Sequence, residues 1–279
     1  GKSSSDKNSL VTIRGIAPDV RLLDLRVLDD QGAGQDSWVI AAIERAIALK
    51  AQYNVRIINL SLGRPVFESY KDDPLCQAVE AAWKAGIVVV TAAGNYGRDN
   101  SWGNQGYGTI ASPGNDPYAI TVGAMKTNST PSRADDTIAS YSSKGPSLID
   151  HVVKPDLVAA GNSIVSLEST GNYLYKNWPS TQTPHGYYQS NGDQKPSDRY
   201  FQLSGTSMAT PMVSGTVAVM IQKNPNITPD QAKAVLMRTA SKSFPSVSMS
   251  TDPSTGITYT SYYDLFTVGA GYLDVNYAL

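Results

Sequence analysis

Cysteine, histidine and uninterrupted charge are what this 279-residue sequence is short of. A single cysteine, Cys76, excludes an internal disulfide. With no histidine or carboxylate cluster beside it, it suits neither a thiol nucleophile nor a metal ligand, and a small buried apolar residue is the expectation. Only two histidines occur, His151 and His185. His185 lies between turn residues, His151 beside Asp150 reads as a solvated pair, and neither segment is patterned for catalysis. The net charge is −1 with no basic block, which removes the electrostatic footprint of nucleic-acid binding. The longest apolar run, Gly86 to Gly94 through Ile87-Val88-Val89-Val90, is far too short to cross a bilayer, so no membrane partner is expected. No signal peptide opens the sequence, but it starts at Gly1 without a methionine, which suggests a processed or dissected chain, so that absence says nothing about the parent protein.

What is present alternates in period. Val20 to Leu28 reads as a strand, followed by a Gly-containing turn from Asp29 to Gly34 and a helix from about Ser37. Val55 to Leu60, Ile87 to Ala92 and Ala119 to Val122 read as buried strands. Asp73 and Pro74 suit a helix start and Gly86 its end. Ser207 to Gln222 is small and apolar around most of a helix, which predicts a central position. Thr228-Pro229-Asp230-Gln231 carries a capping box and opens a further helix through about Ala240. Strands alternating with helices predict an α/β fold, doubly wound, with a mainly parallel sheet covered on both faces. The length suits one domain over 1–279, with residues 168–200 standing out as an irregular insertion rich in Tyr, Asn, Gln, Ser, Gly and Pro. Its aromatics, Tyr173, Tyr175, Trp178, Tyr187 and Tyr188, suit either a cleft lining or the loop's own packing.

The segment with most chemical content is Gly205-Thr206-Ser207-Met208-Ala209-Thr210-Pro211. It sets a serine at a helix start, where unpaired N–H groups favour developing negative charge. A serine there also serves as a plain helix cap. Further segments accompany it: Ile58-Asn59-Leu60-Ser61-Leu62-Gly63, Thr91-Ala92-Ala93-Gly94-Asn95, and Lys154-Pro155-Asp156-Leu157-Val158-Ala159-Ala160-Gly161.

In this order the segments resemble the subtilisin-like serine proteases, the subtilases, from about Gly15 to Ala240. The resemblance implies a serine endopeptidase with Ser207 as nucleophile and Asn95 as oxyanion donor. It places substrate contacts at Leu60, Ser61, Leu62, Gly63, Ala92, Ala93, Gly94 and Ala111. None of these is charged, so a neutral or apolar side chain is expected in the primary pocket. It implies no cofactor for the chemistry, leaves room for structural calcium in a loop near Asn8, and implies secretion.

The departures are as specific. Neither the family's Asp-Ser/Thr-Gly strand end nor its His-Gly-Thr-His sequence occurs. Asp24, Asp29 and Asp36 match turn and helix-start positions. A serine alcohol without a base is a poor nucleophile, so this chain alone is expected to be nearly inactive. The partners expected are an amino-terminal fragment carrying the triad Asp and His, and a peptide or protein substrate. Two alternatives remain open: an inactive peptide-binding pseudo-protease, and a structural or interaction domain on the same scaffold.

Overall fold

The apolar runs become the strands of one sheet in the computed structural model, which describes residues 10–252 and 254–279, apart from the side chain of residue 198. The strands are β1 (Ile57–Leu60), β2 (Val88–Ala92), β3 (Ile120–Lys126), β4 (Thr137–Ile138) and β5 (Leu157–Ala160). β1, β2, β3 and β5 pair in parallel in that order, and β4 pairs antiparallel with the end of β3. Every residue of β2, and every residue of β3 except Lys126, is buried. Such strands need cover on both faces, which is why they read as continuous apolar runs rather than alternating ones.

Four helices longer than ten residues supply cover among the described residues: α1 (Asp36–Ala48), α2 (Pro74–Lys84), α3 (Thr206–Lys223) and α4 (Pro229–Thr239). α3 packs along β1, β2, β3 and β5, while α2 packs on β2 and on α1. The start of α2 is set locally: the Asp73 carboxylate accepts from the Leu75 N–H and Pro74 occupies the first turn. Leu75, within α2, is 1% exposed, and burying a leucine side chain contributes about 1.5–3 kcal/mol. The predicted capping box opens α4, with Gln231 N–H donating to Thr228 Oγ1 at 3.2 Å and Thr228 N–H to Gln231 Oε1 at 3.0 Å.

The Lys-Pro-Asp segment joins sheet to helix through a buried ion pair. Lys154 Nζ donates to Asp156 Oδ2 at 2.8 Å, to Thr121 Oγ1 at 2.8 Å and to Ala119 O at 3.0 Å. Lys233 of α4 reaches the other Asp156 oxygen at 2.8 Å. Burial opposes ionisation of Asp156, but the two ammonium groups outweigh it and hold the carboxyl below the usual carboxylate range.

Three expectations are corrected. Val20 to Leu28 forms no strand, and Leu22 is 89% exposed. Its apolar residues have no adjacent strand to pair with among the described residues, and a strand cannot exist without a partner. α3 is buried on one face only, through Ala209, Val213, Thr216, Val217 and Met220, while Pro211 is exposed and Met212, Gly215, Ala218 and Val219 are half-buried. Residues 168–200 are more regular than their composition suggests. Ile164–Leu167 (β6), Gln182–Pro184 (β7) and Pro196–Leu203 (β8) form an antiparallel sheet in the order β6-β8-β7. There Tyr188 and Tyr200 are buried edge-to-face, ring centroids 4.9 Å apart. Beyond α4 the chain forms a hairpin of β9 (Val247–Thr251) and β10 (Thr258–Tyr262).

Candidate active site

In open parallel sheets, ligands bind where the chain leaves the carboxyl ends of the strands. Here Leu62 and Gly63 follow β1, Gly94, Asn95 and Tyr96 follow β2, and the start of α3 faces them. Together with Ala92, Ala111, Thr206 and Ser207 they line a cleft of about 260 Å³. No charged side chain is among these residues.

The backbone turns out of β2 at Gly94, whose φ is +108; a Cβ there would lie 2.7 Å from Ser143 Oγ and 3.2 Å from Ala111 Cβ. Only glycine fits both the angle and the space. Next, Asn95 Oδ1 accepts from the Thr206 N–H at 3.0 Å and from the Thr206 hydroxyl at 3.1 Å. With its oxygen taken twice, the amide's orientation is fixed and its NH₂ is the half left to face outward. Thr206 Oγ1 in turn accepts from the Gly94 N–H at 3.2 Å. A Cβ built on Gly205 would stand 3.5 Å from Asn95 Nδ2 and 3.7 Å from Ser207 N. The two donors therefore flank one small space beside Ser207, whose N–H lies in the first helical turn, where it has no intrahelical acceptor.

The β1 side is pinned to the same helix. Asn59 Nδ2 donates to Ser61 Oγ at 2.9 Å, Ser61 Oγ to the Ser207 carbonyl at 2.8 Å, and Ser214 Oγ to Asn59 Oδ1 at 2.8 Å. Reciprocal backbone bonds of 2.9 Å between Arg64 and Ser112 tie the two walls beyond Gly63 and Ala111.

Of the residues singled out from sequence, Ser207, Asn95, Leu62, Gly63, Ala92, Gly94 and Ala111 are brought together around this cleft. Leu60, at the end of β1, and Ala93, just past β2, are instead buried, and Ser61 holds the backbone of Ser207 rather than lining the space. Tyr96 and Thr206 were missed. Each adjoins a chosen residue, but nothing in their spacing shows that Tyr96 forms a wall or that Thr206 carries the hydrogen bonds. None of the aromatics of 168–200 lines the cleft.

The remaining candidates separate from it. His185 Nδ1 pairs with Asp193 Oδ1 at 3.0 Å. His151 is not paired with Asp150, whose oxygens accept from Ser69 Oγ at 2.6 Å and Tyr70 N–H at 2.9 Å. Burial, and then the charge of Asp73, push the Cys76 thiol far up, so it stays protonated and inert. The calcium expectation near Asn8 falls outside the described residues. Among those described, no group of three or more His, Cys, Asp or Glu could hold a metal ion, and no helix is long and apolar enough to cross a membrane.

A mainly parallel sheet with helices packed on it, and a cleft at its carboxyl edge lined in part by Ser207, defines an α/β protein. The chain belongs to the subtilase family, whose family model matches residues 2–260. It is 41% identical over 243 residues to the serine protease AprX of Bacillus subtilis (strain 168), covering 84% of this chain and 49% of that protein. To subtilisin E of the same strain it is 35% identical over 233 residues, covering 84% and 47%. The solved structure of sphericase superposes with a TM-score of 0.55 at 30% identity, covering 77% of this chain and 58% of that one. The chain thus spans about half the length of these curated relatives.

Proposed function

We propose that this chain is the serine-bearing part of a subtilisin-like serine endopeptidase. Ser207 Oγ attacks the scissile carbonyl carbon and gives its proton to a histidine base, which passes it to the leaving amine as the C–N bond breaks. Water then hydrolyses the acyl-enzyme. The Asn95 amide and the Ser207 N–H receive the developing oxyanion. The observation that carries this reading is the double use of Asn95 Oδ1 by Thr206, which leaves Nδ2 as the outward donor beside Ser207. Leu62, Gly63 and Ala111 border the peptide, and the uncharged cleft suits a neutral side chain.

Neither His151 nor His185 lines the cleft, so Asp and His come from an amino-terminal fragment. Three features support such a partner: the edge of β1 that no other strand pairs with among the described residues, the exposed apolar residues of 20–28, and the half-covered face of α3. No cofactor takes part in this chemistry, and the protein acts outside the cell, as the family resemblance implies. Fluorophosphonate labelling tests the reading. Ser207 labels in the full-length protein and not in this chain alone, and Ser207→Ala abolishes the label. A folded full-length protein that never labels would leave the peptide-binding pseudo-protease.

A further inference from the structure

The β9–β10 hairpin lies far along the chain from the cleft, yet its polar contacts converge on one cleft wall. A two-stranded ribbon is barely stable alone, and this one leaves Met249 70% and Tyr262 53% exposed. It is not placed to bury a core of its own. The Tyr263 hydroxyl holds its base, donating to Ser248 Oγ at 3.0 Å and accepting from the Ile138 N–H at 2.8 Å.

From there, two carboxylates bracketing β10 reach the loop that follows Asn95. Asp252 pairs with the Arg98 guanidinium, whose Nε donates to Ser140 Oγ at 3.0 Å and whose plane lies 5.5 Å from the Tyr259 ring centre. Asp264 accepts from the Tyr107 hydroxyl at 2.5 Å. Lys144 closes the same end, donating to Gln105 O at 3.0 Å. Immediately before Arg98, the Gly97 N–H donates to Tyr141 O at 2.9 Å and the Tyr96 N–H to Ser143 Oγ at 3.1 Å. Tyr96 and Asn95 line the cleft.

The geometry points to the β9–β10 hairpin as a strap that positions the 95–107 wall through Arg98–Asp252 and Tyr107–Asp264, and so sets how well the cleft holds a peptide. Arg98, Tyr107, Asp252 and Asp264 are positioning residues, since none touches the cleft. The peptide in this statement rests on the function proposed above.

The test uses full-length protein with Asp252→Asn, Tyr107→Phe and both together. Arg133→Ala, which removes the Arg133–Asp274 ion pair at 3.2 Å, is the control. Amide exchange over 95–107 is read by mass spectrometry, and KM and kcat on a peptide substrate by hydrolysis. In the double variant, exchange at Tyr96 and Gly97 rises about tenfold, while KM rises about three- to fivefold with kcat within about twofold. The control changes neither. Exchange no faster than in the control overturns the strap, as does faster exchange with an unchanged KM. If the unaltered protein cleaves no peptide, the functional reading fails instead, and the exchange arm alone decides the strap.

Discussion

Replacing Thr206 by valine isolates the contact on which the cleft's geometry rests. The hydroxyl donates to Asn95 Oδ1 at 3.1 Å and accepts from the Gly94 N–H at 3.2 Å. Thr206 is fully buried, and valine has nearly its shape, so Thr206→Val removes polarity with little change in packing. The lost hydrogen bond to Asn95 is worth about 0.5–1.5 kcal/mol, and a Gly94 N–H left without an acceptor costs about 1–3 kcal/mol. Together they lower stability by about 1.5–4.5 kcal/mol. Thr206→Ser keeps the hydroxyl and loses one buried methyl, about 0.8 kcal/mol. In both variants the Thr206 N–H still anchors Asn95 Oδ1 at 3.0 Å. Valine therefore loosens the amide without releasing it, slowing fluorophosphonate labelling of Ser207 in the full-length protein about tenfold, the equivalent of one hydrogen bond. Serine leaves the labelling rate near that of the parent. Urea unfolding of the two variants and the labelling rate are the assays. Equal unfolding midpoints for valine and serine, or labelling unchanged by valine, would refute the reasoning.

Two further outcomes follow from the geometry around the cleft and beneath the sheet. Gly94→Ala lowers stability by about 2–4 kcal/mol from backbone strain and contact with Ser143. Gly103→Ala, where φ is +68 and nothing lies within 4 Å, costs only about 1–2 kcal/mol; equal urea midpoints would show that Gly94 is not needed for its conformation. Asp116 is 1% exposed and its Oδ2 has no hydrogen-bond partner. Burial pushes its carboxyl up to about 6, with the Tyr118 N–H, Lys154 and Lys233 opposing and Glu80 adding. A raised carboxyl favours the folded state fully below its unfolded value of 3.8 and loses that contribution as pH rises through about 6. Asp116→Asn, which mimics the protonated form, therefore stabilises the protein above pH 6 by at most about 3 kcal/mol, and the gain vanishes below about pH 4. A gain independent of pH, read from urea midpoints across that range, would assign the effect to packing instead.

Legibility in the sequence followed the range of the forces involved. β2 and the start of β3 were readable because burial on both faces leaves an unbroken apolar run. α2 and α4 were readable because Asp73 and Thr228 cap them within three residues. β8, β9 and β10 were not. Their residues are largely polar or alternate weakly, and each strand is specified by its partner, as in the pairing of Ile164 with Leu203 or Val247 with Tyr262. The site shows the same division. Ser207 and Asn95 were found through motifs, but the contact of Ser61 with Ser207 spans 146 residues. No local pattern could assign Ser61 to the backbone of Ser207, or Thr206 to both Gly94 and Asn95.

The misread strand at 20–28 carries a different lesson, because its apolar pattern was not wrong about what the residues require. Val20, Leu22 and Leu23 are exposed, at a cost that an isolated surface leucine bears easily but a row of them rarely does. Among the described residues β1 forms an edge of the sheet, with Ile57 and Ile58 half-buried. Along the adjoining helix, Gly215 is covered by Ile16, whose Cβ would lie 3.0 Å from a Cβ placed there, while Pro211 stays exposed. Backbone N–H and C=O groups at such an edge accept another strand readily. Sequence periodicity reports which surfaces are made to be covered, and the fold reports which of them the described residues cover themselves. The difference between the two falls on β1 and on the exposed residues of 20–28, the surfaces that the amino-terminal partner proposed above would cover.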